Sequence, residues 1–315
     1  DLTHVDEALV TMGIRPWEPD DIARLERIHS EAVEYMDACG ERDLGMAVRR
    51  PDDVRKVFLF ASRPGPEQVD ACMVLKVMHI IHHAAGRQLL YRLPAPINEL
   101  FFRIERKVYD AVDQMKALGV AITEFGGSRK RSDAIITKLL CRRDSQAAQI
   151  HDRLRFRLVT ETLDGLLAAL VYMGRELIPF NYVVPGESRN DLLDLEQTLE
   201  ENSQLNSLVG LLQVIKDSDE PASRFNRFSD GAYRDVNFVV DMAVRVEDLV
   251  SKVPGYEPAK HGKVVFLLVE FQLADRATHR RNNQGKSRHS LYKARQRRRA
   301  FERLISDMPS LELEE

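Results

Sequence analysis

The chain has 315 residues, 44% hydrophobic and 30% charged, with a formal net charge of −3. That length suits one large domain or two small ones, and the near-neutral balance excludes bulk charge as a pointer to nucleic acid or membrane. Cys39, Cys72 and Cys141 lie far apart with no CxxC pair, which argues against a structural zinc site or disulfide framework and fits a reducing, cytoplasmic compartment.

No basic-then-apolar signal segment opens the sequence. Pro19-Asp20-Asp21 starts an amphipathic helix that Gly40 stops. Pro64-Gly65-Pro66 breaks the chain, and Val69, Met73, Val77 and Ile80 then recur at helical spacing. This stretch carries Lys76, His79, His82 and His83, so it falls short of the ~20 apolar residues of a membrane span, and no membrane is expected. His79 and His83 have a spacing that can ligate a metal, but with no suitably placed acid they read as packing histidines. After Pro94 and Pro96 a long helix over Leu100 to Leu118 places Phe101, Ile104, Val108 and Val112 on one face and ends at Gly119. Residues 1–119 thus form a mainly helical amino-terminal region.

From residue 120 the pattern changes. Gly126-Gly127, the basic Arg129-Lys130-Arg131 and Ser132-Asp133 lead into a helix bearing Lys138. Amides at a helix start plus cations make a polyphosphate cradle; the segment also reads as a plain basic turn capping a helix. Asp152 to Thr160 alternates as a strand, with Leu154, Phe156 and Leu158 on one side and Arg153, Arg155 and Arg157 on the other. Leu163 to Met173 reads as a helix, and a polar insertion, partly helical, lies near 190–220. Tyr233 to Arg245 and Lys263 to Leu273 are β-rich, Arg276 to Ile305 reads as a basic helix, and the chain ends in an acidic run.

Two carboxylates stand out. Asp152 sits at a strand mouth, where its hard oxygens suit Mg²⁺, and the arginines after it can neutralise phosphate oxygens. The bland reading is a strand edge with ordinary ion pairs. Glu270 lies inside a hydrophobic strand, which is expensive for a carboxylate unless it is paired, metal-bound or needed as a base. A partner arginine such as Arg157 would equally neutralise it.

In order, these segments resemble the synthetase domain of the RelA/SpoT family, over about Gly126 to Lys293. Arg129-Lys130-Arg131-Ser132 with Lys138 is similar to the family's ATP loop, Asp152 to Arg157 to its Asp-x-x-x-x-Arg strand, and Tyr233 to Asn237 to its Tyr-x-x-x-His segment. Val269-Glu270-Phe271-Gln272 matches its Val-Glu-x-Gln strand, and His279, Gly285, His289, Tyr292 and Lys293 follow at the family's spacing. The resemblance implies an α+β fold, a nucleotidyltransferase-like mixed β-sheet flanked by helices, in a synthetase domain over 120–315.

It also implies an ATP-dependent pyrophosphokinase that transfers pyrophosphate to a nucleotide 3′ hydroxyl. Asp152 and Glu270 would be catalytic and hold Mg²⁺; Arg129, Arg131, Ser132, Lys138 and Arg157 would bind ATP and its phosphates; Tyr233, Asn237, Gln272 and His279 would bind the acceptor. Asp235, on the same strand face as Tyr233, reads as a metal or sugar contact or as a solvent-exposed side chain. The family's Pro-Lys-x-Asn-Gly is replaced by Phe228-Ser229-Asp230-Gly231-Ala232, so the lysine for acceptor phosphates and the asparagine that reads guanine are missing. Acceptors to weigh are therefore GDP, GTP, another nucleotide, or the 3′ end of tRNA, for which Arg295 to Arg299 offers a basic surface. A degenerate relative that binds nucleotide or a protein partner without turnover is the third reading, and oligomerisation is compatible with all three.

Overall fold

A computed structural model describes residues 1–141, 153–184, 186–193, 233–284 and 289–306. The expected insertion falls largely, and Asp152 and Gly285 wholly, outside the described residues. The amino-terminal helices are α1 (Leu2–Thr11), α2 (Pro19–Cys39), α3 (Met46–Arg49), α4 (Lys56–Ala61), α5 (Gln68–Arg92) and α6 (Ile97–Ala117). Then come β1 (Ile122–Arg129), α7 (Ser132–Cys141), β2 (Leu154–Thr160), α8 (Leu163–Tyr172) with a π turn at Met173–Leu177, and β3 (Arg189–Asn190). The remainder is β4 (Val236–Arg245), α9 (Glu247–Val250), α10 (Pro258–His261), β5 (Val264–Asp275), α11 (Arg276–Asn282) and α12 (His289–Ser306). No helix among the described residues is long and apolar enough to cross a membrane.

The five strands form one mixed sheet in the order β1-β2-β5-β4-β3. The pair β1–β2 is antiparallel, β2–β5 parallel and β3–β4 antiparallel. The architecture is α+β, a five-stranded mixed sheet with helices and a helical amino-terminal region.

The chain divides into two compact units, each built from two segments: residues 1–107 with 242–267, and residues 108–241 with 268–315. In the first unit, α2 begins with Pro19 and the acids Asp20 and Asp21 and is closed by Gly40 in the left-handed conformation (φ 66°), as its punctuation predicts. Its apolar face, Leu25, Ile28, Ala32 and Met36, joins Val48, Val57, Ala71 and Val74 in the core. Gly86 lets α5 lie close to β5: a Cβ there would sit 2.5 Å from the Phe266 ring.

The α5 histidines pack, as their spacing without an acid implies. His83 stacks on Phe266 at 4.0 Å between centroids, and buried His82 meets the same ring edge-on at 5.1 Å. Burial first, then the charges of His83 and Arg24, push the His82 imidazole down to about 3. The unfolded chain therefore takes up this proton near 6.5, before the folded chain can. The stability His82 supplies is complete above that pH and drains as pH falls towards 3. His82→Gln is expected to make the acid limb of a urea-stability-versus-pH curve shallower, by up to ~1.4 kcal/mol per pH unit. A limb of unchanged slope would contradict this.

In the second unit, the sheet separates two chemistries by strand alternation. One face carries an aromatic ladder, Phe125–Phe156–Phe271–Phe238, with centroids 5.9, 5.5 and 5.5 Å apart. Leu154, Leu158 and Leu273 are buried with it, and the second half of α6 contributes Val108, Val112 and Met115 to the buried core. The intervening positions include the polar Arg155 and Arg157 on β2, Glu270 and Gln272 on β5, and Asn237 and Asp241 on β4.

Candidate functional site

Alternation places Arg155 and Arg157 of β2, Glu270 and Gln272 of β5, and Asn237 of β4 between fully buried apolar neighbours. The parallel register then sets Arg155 opposite Glu270 and Arg157 opposite Gln272. The outcome is a connected polar network. Glu270 Oε1 accepts from Asn237 Nδ2 at 2.7 Å and from Gln272 Nε2 at 3.0 Å. Glu270 Oε2 faces Arg155 Nε at 3.5 Å. Gln272 Oε1 accepts in turn from an Arg157 Nη at 3.3 Å and an Arg155 Nη at 3.5 Å.

The Glu270 side chain is 12% exposed, so the carboxylate is mostly desolvated yet reachable. Its orientation is fixed by two amide donors on one oxygen, while the other oxygen has a looser cationic neighbour. Such a carboxylate can accept a proton or offer a hard oxygen to a cation. The arginine beside it is Arg155, not Arg157 as the sequence suggested, because register decides which cation lies opposite the acid.

Tyr233 and Asp235 precede β4. Asp235 is buried, not solvent-exposed, and forms an ion pair with Arg189 of β3. Burial raises the Asp235 pKa; Arg189 opposes the shift and the Glu270 charge adds to it. Burial and then the Asp235 carboxylate push the Tyr233 phenol up to about 12. The cluster thus brings Arg155, Arg157, Asn237, Glu270 and Gln272 near Tyr233, Asp235 and Arg189. Arg155 and Arg189 are the members that sequence reasoning did not single out. Arg155 carried the same alternation signal as Arg157, whereas nothing in the local sequence marks Arg189 as the partner of Asp235.

The amino-terminal side of the site differs from its expected form. Gly126 and Gly127 do not form a loop at a helix start; they lie within β1, opposite Arg157 and Phe156. A Cβ on Gly127 would come 2.9 Å from the Phe156 ring, so this glycine makes room for the aromatic ladder. The turn into α7 is reduced to Lys130 and Arg131, and Lys130 N donates to Arg153 O at 2.9 Å. Arg129 ends β1, Arg131 lies outside as an exposed cation 3.4 Å from Asp133, and Ser132 opens α7. Lys138 is on α7, with its side chain outside what is described. His279 is on α11, its Nε2 3.3 Å from Glu124 Oε2 on β1 and 2.9 Å from Asn283 Nδ2. That contact directs it to the β1 end of the sheet, three strands from β4 and Asn237. Among the described residues no group of three or more histidines, cysteines or acids is gathered as a metal site.

In fold, the chain is similar to small alarmone synthetases. Small alarmone synthetase 1 from Bacillus subtilis, in a structure bound to its product pppGpp, is 12% identical, with 68% of this chain and 90% of that one covered and a TM-score of 0.38. A GTP pyrophosphokinase family protein from Streptococcus pneumoniae is also 12% identical, covering 67% and 86% with a TM-score of 0.32. Small alarmone synthetase 2 from Bacillus subtilis is 13% identical, covering 67% and 93% with a TM-score of 0.31. No protein-family model and no curated protein sequence matches the chain.

Proposed function

We propose that the chain is an ATP-dependent pyrophosphokinase acting on a nucleotide hydroxyl, with Glu270 as the catalytic base. The observation that carries this reading is the largely desolvated, amide-oriented Glu270 carboxylate, which the strand register sets opposite Arg155, with Arg157 one step on against Gln272. In the reaction the acceptor hydroxyl oxygen bonds to the β-phosphorus of ATP, and the bond from that phosphorus to the α-β bridging oxygen breaks. AMP leaves, and the hydroxyl proton passes to Glu270. Transfer of this kind relies on positioning and electrostatics more than on covalent help from the protein.

Arg155 and Arg157 balance charge that builds on the phosphoryl oxygens, and Gln272 holds both guanidinium groups while orienting Glu270. Arg129, Arg131, Ser132 and Lys138 belong to the ATP side of this reading, Tyr233 and Asn237 to the acceptor side. Mg²⁺ fits the donor chemistry, because it is typically held by one or two carboxylates plus substrate phosphates; Glu270 supplies such an oxygen, and Asp152 is the second carboxylate of the proposal. When bound it would neutralise charge on the β and γ phosphates.

The deciding experiment incubates the protein with γ-labelled ATP, Mg²⁺ and, separately, GDP, GTP, ADP, ATP and tRNA. A labelled product that retains the acceptor, together with release of AMP, is expected. Absence of labelled product with every acceptor, while nucleotide binding persists, would leave a binder without turnover.

A further inference from the structure

Arg189 gathers side chains from both sides of the β3–β4 ladder. Its Nε is 2.8 Å from Asp191 Oδ2, one Nη pairs with buried Asp235, and its Cζ lies over the Tyr233 ring, 5.6 Å from the centroid. The antiparallel register, Arg189 opposite Asn237 and Asn190 opposite Val236, puts the guanidinium there. The hydrogen bond to Asp235 and the ion pair with Asp191 hold the planar guanidinium in a way a lysine ammonium does not reproduce. A fixed cation over an aromatic face in turn restrains the ring. The same register connects this group to the catalytic carboxylate, since Asn237 also donates to Glu270.

We propose that Arg189 is a positioning residue for the acceptor: it clamps one face of Tyr233 so that the ring presents a fixed stacking surface to a planar acceptor base. This rests on the proposed pyrophosphokinase reading and on Tyr233 being on its acceptor side. In that reading Arg129, Arg131, Ser132 and Lys138 of the ATP side belong to β1, α7 and the turn between them, so the clamp is expected to act on the acceptor and not on ATP.

The test uses the full chain with Arg189→Lys, which keeps a cation near Asp235 and loses the planar fork, and with Arg189→Met, thermal melting reporting on the fold of each. For Arg189→Lys the acceptor KM is expected to rise ~10-fold while the ATP KM holds. In a Tyr233→Leu background the Arg189→Lys change should add nothing further to acceptor KM. A second readout needs no acceptor: nitration of Tyr233 by tetranitromethane, located by mass spectrometry, should be severalfold faster in folded Arg189→Lys, which keeps a cation beside the phenol, than in the parent or in Arg189→Met, whose lost cation disfavours the reactive phenolate. Faster nitration in a chain that transfers to no acceptor would sink the pyrophosphokinase reading and leave the clamp on the ring standing. Unchanged nitration, or equal shifts in the two KM values, would overturn the clamp.

Discussion

Glu270→Gln is expected to lower pyrophosphate transfer from ATP by ~10²–10⁴-fold, the range a positioned general base contributes. The substitution conserves shape, and a glutamine oxygen can still accept from Asn237 and Gln272 as Glu270 Oε1 does. The second position then carries an amide N–H₂ instead of an oxygen. It would face the Arg155 guanidinium, which lies 3.5 Å from Glu270 Oε2, donor against cation, and it can neither take the acceptor proton nor offer a hard oxygen. Initial rates with labelled ATP at saturating acceptor give the loss, and ATP binding by equilibrium dialysis should change little. A variant with the parent rate would remove Glu270 from the mechanism and leave it as the half-buried ion-pair partner of Arg155.

The largest expected effect on stability lies in the first unit, at Arg245. Its Nη1 donates to Gly13 O at 2.7 Å and pairs with Asp21, its other Nη pairs with Glu18 at 3.0 Å, and its Nε pairs with Glu247 at 2.9 Å. The Arg245 side chain is 14% exposed and that of Asp21 7%. Burial works against the guanidinium, and the carboxylates of Asp21, Glu247 and Glu18 outweigh it, so the net pKa shift is upward. Arg245→Met would leave Asp21 as a buried charge with the Arg15 backbone N–H, at 2.8 Å, as its hydrogen-bond donor among the described residues and Lys263 as a more distant cation. Breaking a buried pair from one side costs about 3–5 kcal/mol, and that loss is expected in urea denaturation. Asp21→Asn added to Arg245→Met should recover a large part of it, because the stranded charge is gone. A single-variant loss below ~1 kcal/mol would place the group among the weak surface ion pairs.

Much of the scaffold was readable because its signals are local. The alternation of Leu154, Phe156 and Leu158 with arginines marks β2, and the side-chain period of a strand then assigns the faces whatever lies opposite. Helix α2 announces its start with Pro19 and its end with Gly40. A carboxylate in the apolar run of β5 marks Glu270 as costly wherever the strand is placed.

Long-range pairing supplied the rest. Strand β1 was hidden because Gly126-Gly127 lowers strand propensity, and the reason for Gly127 is the Phe156 ring, 29 positions away in sequence and opposite it in the sheet. Arg155 and Arg157 were equivalent in sequence until the β2–β5 register set the former against Glu270. Arg189 and Asp235 meet through a two-residue strand at the far edge of the sheet, and segment 242–267 joins the amino-terminal helices in one compact unit. Local order along the chain assigns side chains to faces, since backbone geometry repeats every two or 3.6 residues. Which charges neighbour one another follows from the assembled sheet, since register and strand order depend on contacts between segments that no local period encodes.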